Sequence, residues 1–544
     1  MPTTRRAGIR TARVAVALIA ILLASCSGGS KNEGAPDTDV TSGPSSGAAP
    51  ATLTALACDP TGSGKVYEVG PGEALASIGE VPWEELAAGD TVRIHWREEP
   101  YREKFLLRAR GTEEQPIVVC GVAGPSGELP VLDGENAVAR SGMAYPFSGS
   151  SEPRGLIHVT LGRDDEWGYK PGYLVVQGLH IRNAYRDYTF TDSNGATVSY
   201  ADNAAGIFVE RGEHITVRGV ILEGNGNGFF VASGDSEEVL SRDILLERSQ
   251  IYGNGTTTVD PDRHHNIYTE AAGTVFQFND IGPLRDGSAG AALKDRSAGT
   301  IVRYNRIEGG SRSLDLVEAQ DSLPMVGKLP QYRTTLVYGN VIVNPENGAS
   351  NMIHYGGDSG VPEGYRKGTL YFYNNTIVIR ADQEGPNGRW RTAIFDASTA
   401  DESIDARNNV IVVRAATAGA TATEPAWMRS DGRLELGVNW ATPGFIEWRD
   451  DVESDRAEIS GVENVSGDGD GPGFVDEDGN DFRLAAAAEA AGKGSDLHDV
   501  PAGLSATVDF EYVHPASGRA PTPEAAADLG AFAPTSQASG SGGH

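Results

Sequence analysis

Apolar and polar positions along the middle of the chain follow a repeat rather than a helical stripe. Short runs of β-forming residues end in Asn, one variable residue and Ile: Phe-Gln-Phe-Asn279-Asp-Ile, Arg-Tyr-Asn305-Arg-Ile, Tyr-Gly-Asn340-Val-Ile, Tyr-Asn-Asn375-Thr-Ile and Arg-Asn-Asn409-Val-Ile. Upstream, Gly178, Gly219 and Ser249 hold the same place. From 249 onward the offsets to 279, 305, 340, 375 and 409 are 30, 26, 35, 35 and 34 residues, a repetition with variable insertions. Each unit holds two or three strands of four to six residues divided by Gly, Asn, Asp and Ser, which leaves no room for repeated long helices and excludes helical solenoids. The pattern predicts an all-β chain, a right-handed parallel β-helix in which each repeat forms one coil. Asn suits a recurrent corner because its amide can bond the Asn of the coils above and below and because it tolerates left-handed backbone. The ladder is structural.

Equivalent positions of successive coils lie about 4.8 Å apart, so a solenoid lines residues up in exposed rows. Anchoring on Ala-Gly273-Thr-Val and Ala-Gly299-Thr-Ile places Tyr268 over Lys294 and Glu270 over Arg296, with Asp315 and then His354 following Lys294. In Ala-Leu293-Lys294, Leu314-Asp315-Leu316 and Met-Ile353-His354 a polar residue sits beside apolar ones. Alternation then sends the apolar partners inward and Tyr268, Lys294, Asp315 and His354 outward on one face. Two inserts, Asp260–His265 and Gln320–Tyr332, border it. The first contains Asp262, His264 and His265. Adjacent His residues point to opposite sides of a strand, so at most one faces the row.

Flanking segments add a resemblance. Leu86-Ala-Ala-Gly-Asp-Thr-Val-Arg-Ile94, Pro-Ile-Val-Val-Cys120 and Pro-Val-Leu-Asp-Gly134 resemble the opening coils of pectate-lyase-like β-helix proteins. Gly-Pro-Gly-Phe474, Asp-Phe482-Arg-Leu and Ala-Asp528-Leu-Gly-Ala-Phe resemble their closing segment. Residues 57–533 are thus expected to form the β-helix domain. Because solenoids need blocked ends, Ala74–Leu86 is expected to cover the first coil and Ala485–Gly492 to belong to the far cap. Lyases of this fold abstract the proton beside a uronic carboxyl group with a Lys or Arg base, while a cation or calcium neutralises the carboxylate. The resemblance implies Lys294 as base, its proton loss encouraged by burial or by Arg296. It further implies Arg296 and Arg312 as neutralising cations and Tyr268 or His265 as proton donor to the leaving oxygen. Asp315, His354, His264 and Asp262 are expected to bind substrate. Calcium is the cofactor the resemblance admits, although carboxylates in calcium-ligand register are not recognisable. The alternatives are a uronate epimerase or a glycoside hydrolase on this scaffold, the latter drawing on Asp315, Glu318 and Asp262, or a non-catalytic adhesin that only holds glycan.

Both ends read as targeting and spacing. Arg5, Arg6, Arg10 and Arg13 precede an apolar run from Val14 to Leu23, too short to cross a bilayer and suited to a signal peptide. It ends in Leu23-Ala24-Ser25-Cys26, which resembles the lipobox of bacterial lipoproteins and implies cleavage after residue 25 and a lipid on Cys26. Residues 26–56 form a Gly/Ser/Pro-rich spacer, and the tail from 534 to 544 is similarly loose. The expected location is the bacterial cell envelope, at the outer membrane or cell surface. Of three cysteines, Cys58 and Cys120 remain to pair in an oxidising compartment. A formal charge of -30 argues against nucleic acid; a polysaccharide is the expected partner, bound by a monomer.

Three motifs are set aside. Gly357-Asp358-Ser359-Gly360 looks like a protease nucleophile segment but lies in a loop between repeat strands with no matching His segment. Asp476-Glu-Asp478-Gly-Asn-Asp481 lacks the third spaced ligand and the closing Glu of a calcium loop. Gly224-Asn-Gly-Asn-Gly228 has no following helix and is a corner.

Overall fold

The computed structural model describes residues 53–532 except 61, 148, 259, 346–350, 386–387, 390, 430, 450–456, 469–470, 486–487, 498–506 and 521–527. The signal segment, Cys26, the spacer up to residue 52 and the tail lie outside the described residues, which all belong to the compact unit beginning at Asp37. Three long sheets, with 14, 13 and 11 strands among the described residues, run along a right-handed parallel β-helix. One coil contributes a strand to each: Ala272–Gln277 to the 13-stranded sheet, Asp280–Ile281 to the 11-stranded sheet and Leu293–Asp295 to the 14-stranded sheet. Pairing from coil to coil is parallel; the antiparallel partner Thr197–Ser199 at one end of the 14-stranded sheet is a hairpin extension. Inward positions such as Ile267, Leu293, Leu314, Ile353 and Phe395 share one continuous apolar core, whose burial drives the coiling.

The predicted ladder is present and longer than expected. Asn279, Asn305, Asn340 and Asn375 each donate backbone N–H and side-chain Nδ2 to the Oδ1 of the next rung at 2.9–3.2 Å, reaching Asn409. Asn409 continues the pattern to Asn439, a rung hidden from the sequence because Ala441 stands where the repeat has its Ile. The left-handed backbone sits one residue earlier than expected. Phe278, Tyr304, Gly339, Asn374 and Asn408 carry the positive φ, and the ladder Asn residues do not. Gly178 and Gly219 also have positive φ, so they occupy that preceding position, and Val220 stands at the rung beside Ser249.

Within Ala74–Leu86, the stretch expected to cover the first coil, Ile78, Val81, Trp83 and Leu86 are buried in the core, with Trp83 stacked on Phe105 at 4.0 Å. The segment after residue 474 behaves differently from the expected cap. Phe482, Leu484 and Ala490 pack on Val341, Val343, Val378, Val410 and Val412, the outward side of the 11-stranded sheet, and Ala516 reaches back to Leu53 and Leu129 near the start. The chain therefore returns along a flank. Cys58 and Cys120 form a disulfide with Cα atoms 5.6 Å apart, tying the leading segment to the opening coils.

Candidate functional site

Strand register in the 14-stranded sheet sets the predicted row. Tyr268 pairs with Lys294, Lys294 with Asp315, Asp315 with His354, and His354 with Asp396. Upstream, the same column runs through His158, Phe208 and Phe230, whose ring meets Tyr268 edge to face at 4.8 Å. Parity separates Lys294 and Arg296 from Asp295. The two cations face outward, whereas the Asp295 carboxylate turns inward and accepts from Thr269 at 2.7 Å, from the Ser297 N–H at 3.1 Å and from Arg366 at 3.4 Å. Arg366 is fully buried and also donates to the carbonyls of Val317 and Ser297 at 2.8 and 2.7 Å. This interior pair braces the strand that carries the outer cations.

On the outer side the row is a buried ionic network, not a solvated stripe. Lys294 Nζ lies 2.5 Å from Asp315 Oδ2 and 2.5 Å from Asp358 Oδ2. Arg296 donates to Asp358 Oδ1 at 2.7 Å, to the Glu318 carboxylate at 3.2 Å and, through Nε–H, to the Tyr268 phenol oxygen at 3.0 Å. Arg312 reaches Asp315 Oδ1 at 3.0 Å, and His354 Nδ1 lies 2.6 Å from the same oxygen, with Nε2 3.0 Å from Ser398 Oγ. Arg296, Lys294, Tyr268, Arg312, Asp315 and His354 thus converge as the sequence predicted. So does Glu318, named there only for a hydrolase.

Electrostatics alter the role of Lys294. Burial pushes its ammonium down, as expected, but Asp315 and Asp358 outweigh both burial and the Arg296 charge and raise it above its ordinary value. Lys294 is a cation at neutral pH, which corrects the expectation of a free-amine base in the unliganded protein. Burial opposes the charge on Asp315 too, yet Lys294 and Arg312 hold it well below the usual carboxylate range. His265 is also corrected as an acid. Burial first, then the Lys294 charge, keep it well below its ordinary value, and its Nδ1 accepts the Ala291 N–H at 2.8 Å. It is a neutral imidazole packed edge to face on Tyr268 at 5.4 Å. His264 turns the other way, its Nδ1 3.1 Å from the Asp260 carbonyl oxygen. Asp262 is exposed, and no hydrogen bond or ion pair among the described residues joins it or His264 to the row.

Sequence reasoning missed Asp358. The Gly357–Gly360 loop, set aside as a protease-like segment, does lie between repeat strands, but its Asp side chain bridges the two cations. Glu318 fixes the loop by accepting the backbone N–H of Asp358 at 2.9 Å and of Ser359 at 2.8 Å. Glu270 was placed by register alone. Its buried carboxyl accepts from Gln320 N–H, Ser322 N–H and Ser322 Oγ–H at 3.1, 2.6 and 2.7 Å, fastening the insert beside the row. Burial, reinforced by Asp321, pushes it up to about 7.

A calcium ion finds no unclaimed carboxylate set here, since Asp315, Asp358 and Glu318 are each paired with a cation among the described residues. Among those residues one group, Glu68, Glu73 and His95 in the leading segments, has ligand atoms within 4.8 Å of one another, and Glu68 is already paired with Arg93 at 2.7 Å. The other two motifs set aside are turns: the Asp476 carboxylate accepts the Gly479 N–H at 3.0 Å, and Gly224 takes a positive φ at a corner.

No family model matches the chain, and no curated protein sequence matches it. Solved structures similar to it include the pectate lyase Pel9A, with 12% identity and a TM-score of 0.44 over 87% of this chain and 97% of that one. An alginate lyase from Paenibacillus sp. str. FPU-7 has 15% identity and a TM-score of 0.40 over 60% and 89%. A rhamnogalacturonan lyase has 10% identity and a TM-score of 0.39 over 73% and 87%.

Proposed function

We propose that this protein is a polysaccharide lyase that cleaves an acidic polysaccharide by β-elimination, exported and tethered to the bacterial cell envelope through a lipid on Cys26. The observation that carries the activity is a carboxylate held at 2.5 and 2.7 Å between Lys294 Nζ and Arg296, whose Nε–H donates to the Tyr268 phenol oxygen. Proton abstraction next to a carboxyl group needs that group's negative charge balanced as the carbanion forms, and two buried cations supply this.

Lys294 and Arg296 bind the uronate carboxylate, with Arg312 adding positive charge at Asp315. Tyr268 is the proton-moving group: its oxygen, held in place by the Arg296 Nε–H, takes the proton from the carbon beside the carboxylate as it gives up its own proton to the departing glycosidic oxygen. That C–H bond breaks, the carbon–carbon double bond forms, the bond to the glycosidic oxygen breaks, and the phenol proton passes to the departing oxygen. A hydrolase is less well supported: Asp315 and Glu318 are engaged by cations and Asp262 stands apart from the row.

Purified protein incubated with a panel of uronate polymers is expected to generate unsaturated product absorbing near 235 nm. Tyr268→Phe should slow turnover by about 10²–10⁴-fold, the usual contribution of a positioned proton-transfer group. New reducing ends without absorbance would replace β-elimination by hydrolysis. Binding without product would make the protein a glycan-holding adhesin.

A further inference from the structure

Resting on that reading, we infer that the Lys294–Arg296 pair is a uronate-carboxylate site that the free protein fills with its own Asp358, and that substrate enters by displacing this side chain.

Three observations carry the inference. The first is geometry: each Asp358 oxygen meets a different cation, Oδ2 on Lys294 Nζ at 2.5 Å and Oδ1 on Arg296 at 2.7 Å, the bridge an incoming carboxylate would make. The second is placement. The Asp358 side chain is 25% exposed, whereas those of Lys294 and Arg296 are 10% and 6% exposed, so Asp358 is the solvent-side member of the cluster. Its loop is anchored by backbone N–H groups on Glu318 and by Gly357 N–H on Ser398 Oγ at 2.8 Å, which leaves side-chain rotation as the movement required.

The third is charge. Arg296 is paired with Glu318, and Lys294 and Arg312 share Asp315, so Asp358 supplies the third negative charge against the three cations of the group. Rotating Asp358 out leaves one uncompensated, nearly buried positive charge, which a carboxylate restores and a neutral sugar does not. A buried unpaired charge is costly, so the exchange favours anionic rings over methyl-esterified or neutral ones. Asp358 therefore sets both the selectivity and the energetic threshold for entry.

Calorimetry with uronate tetramers and their methyl esters, on the full mature chain in a Tyr268→Phe background that slows turnover, tests this. Asp358→Asn and Asp358→Ala are expected to bind the free-acid tetramers at least tenfold more tightly than the parent, with little change for the esters. Unchanged or weaker binding of the acids by folded variants would overturn the inference. So would loss of the folded state in both variants, judged by circular dichroism, since Asp358 would then be structural. If that overturning result accompanies unsaturated product from the unmutated protein, the proposed function stands without the inference. Absence of acid binding by parent and variants alike overturns both.

Discussion

Lys294, Asp295 and Arg296 are consecutive, yet the middle one faces the core and its neighbours face outward into the ionic network. A strand's two-residue period imposes this difference, and it was legible wherever a polar residue stood between apolar ones. What remained hidden were contacts made by loops. Asp358 has no periodic neighbours to fix its direction, so only the fold brings it to the cations. Glu270 was placed by register, but its contacts with the insert at Gln320 and Ser322 were hidden in the same way, and their effect is measurable. The Glu270 carboxyl, pushed up to about 7 from 4.5, favours the protonated form in the folded protein. Its contribution to stability is therefore fully present below about pH 4.5 and is lost as pH rises through about 7. Glu270→Gln keeps an oxygen for the Ser322 N–H and removes the titration. Urea midpoints from pH 5 to pH 8 should fall for the parent relative to this variant; parallel curves would contradict the assignment.

At the scale of elements, the Asn ladder was visible because five rungs share one local pattern. Assigning the left-handed backbone to the Asn itself was off by one position. The amide must lie in regular register to bond its neighbours, so the preceding residue absorbs the corner. The strand 293–295 also depends on an interior pair that hydrophobic patterning could not reveal, because Arg366 lies 71 residues beyond Asp295. Arg366→Met strips donors from the carbonyls of Val317 and Ser297 and leaves the Asp295 charge buried. Breaking such a pair costs about 3–5 kcal/mol. A correspondingly lower denaturation midpoint is expected, with weaker uronate binding as the strand carrying Lys294 and Arg296 loosens. An unchanged midpoint would show that Arg366 does not brace the site.

For the whole molecule, the sequence established the coil and the row because both follow from repetition, whereas the path of the closing segment does not. Residues after 474 pack on the outward Val positions of the 11-stranded sheet, a choice set by exposed apolar surface rather than by any repeat. The resulting arrangement leaves the 14-stranded sheet to hold the aromatic and ionic column from His158 to Asp396, buried at its His158 and Phe208 end; the proposed glycan site is its part around Tyr268 and Lys294. The most direct measurement is a crystal structure of the Tyr268→Phe protein soaked with a uronate tetramer. The account predicts sugar rings along that part of the column, one ring's carboxylate between Lys294 Nζ and the Arg296 guanidinium, and the Asp358 side chain rotated away. A tetramer bound on another face, or a carboxylate placed apart from both cations, would contradict it.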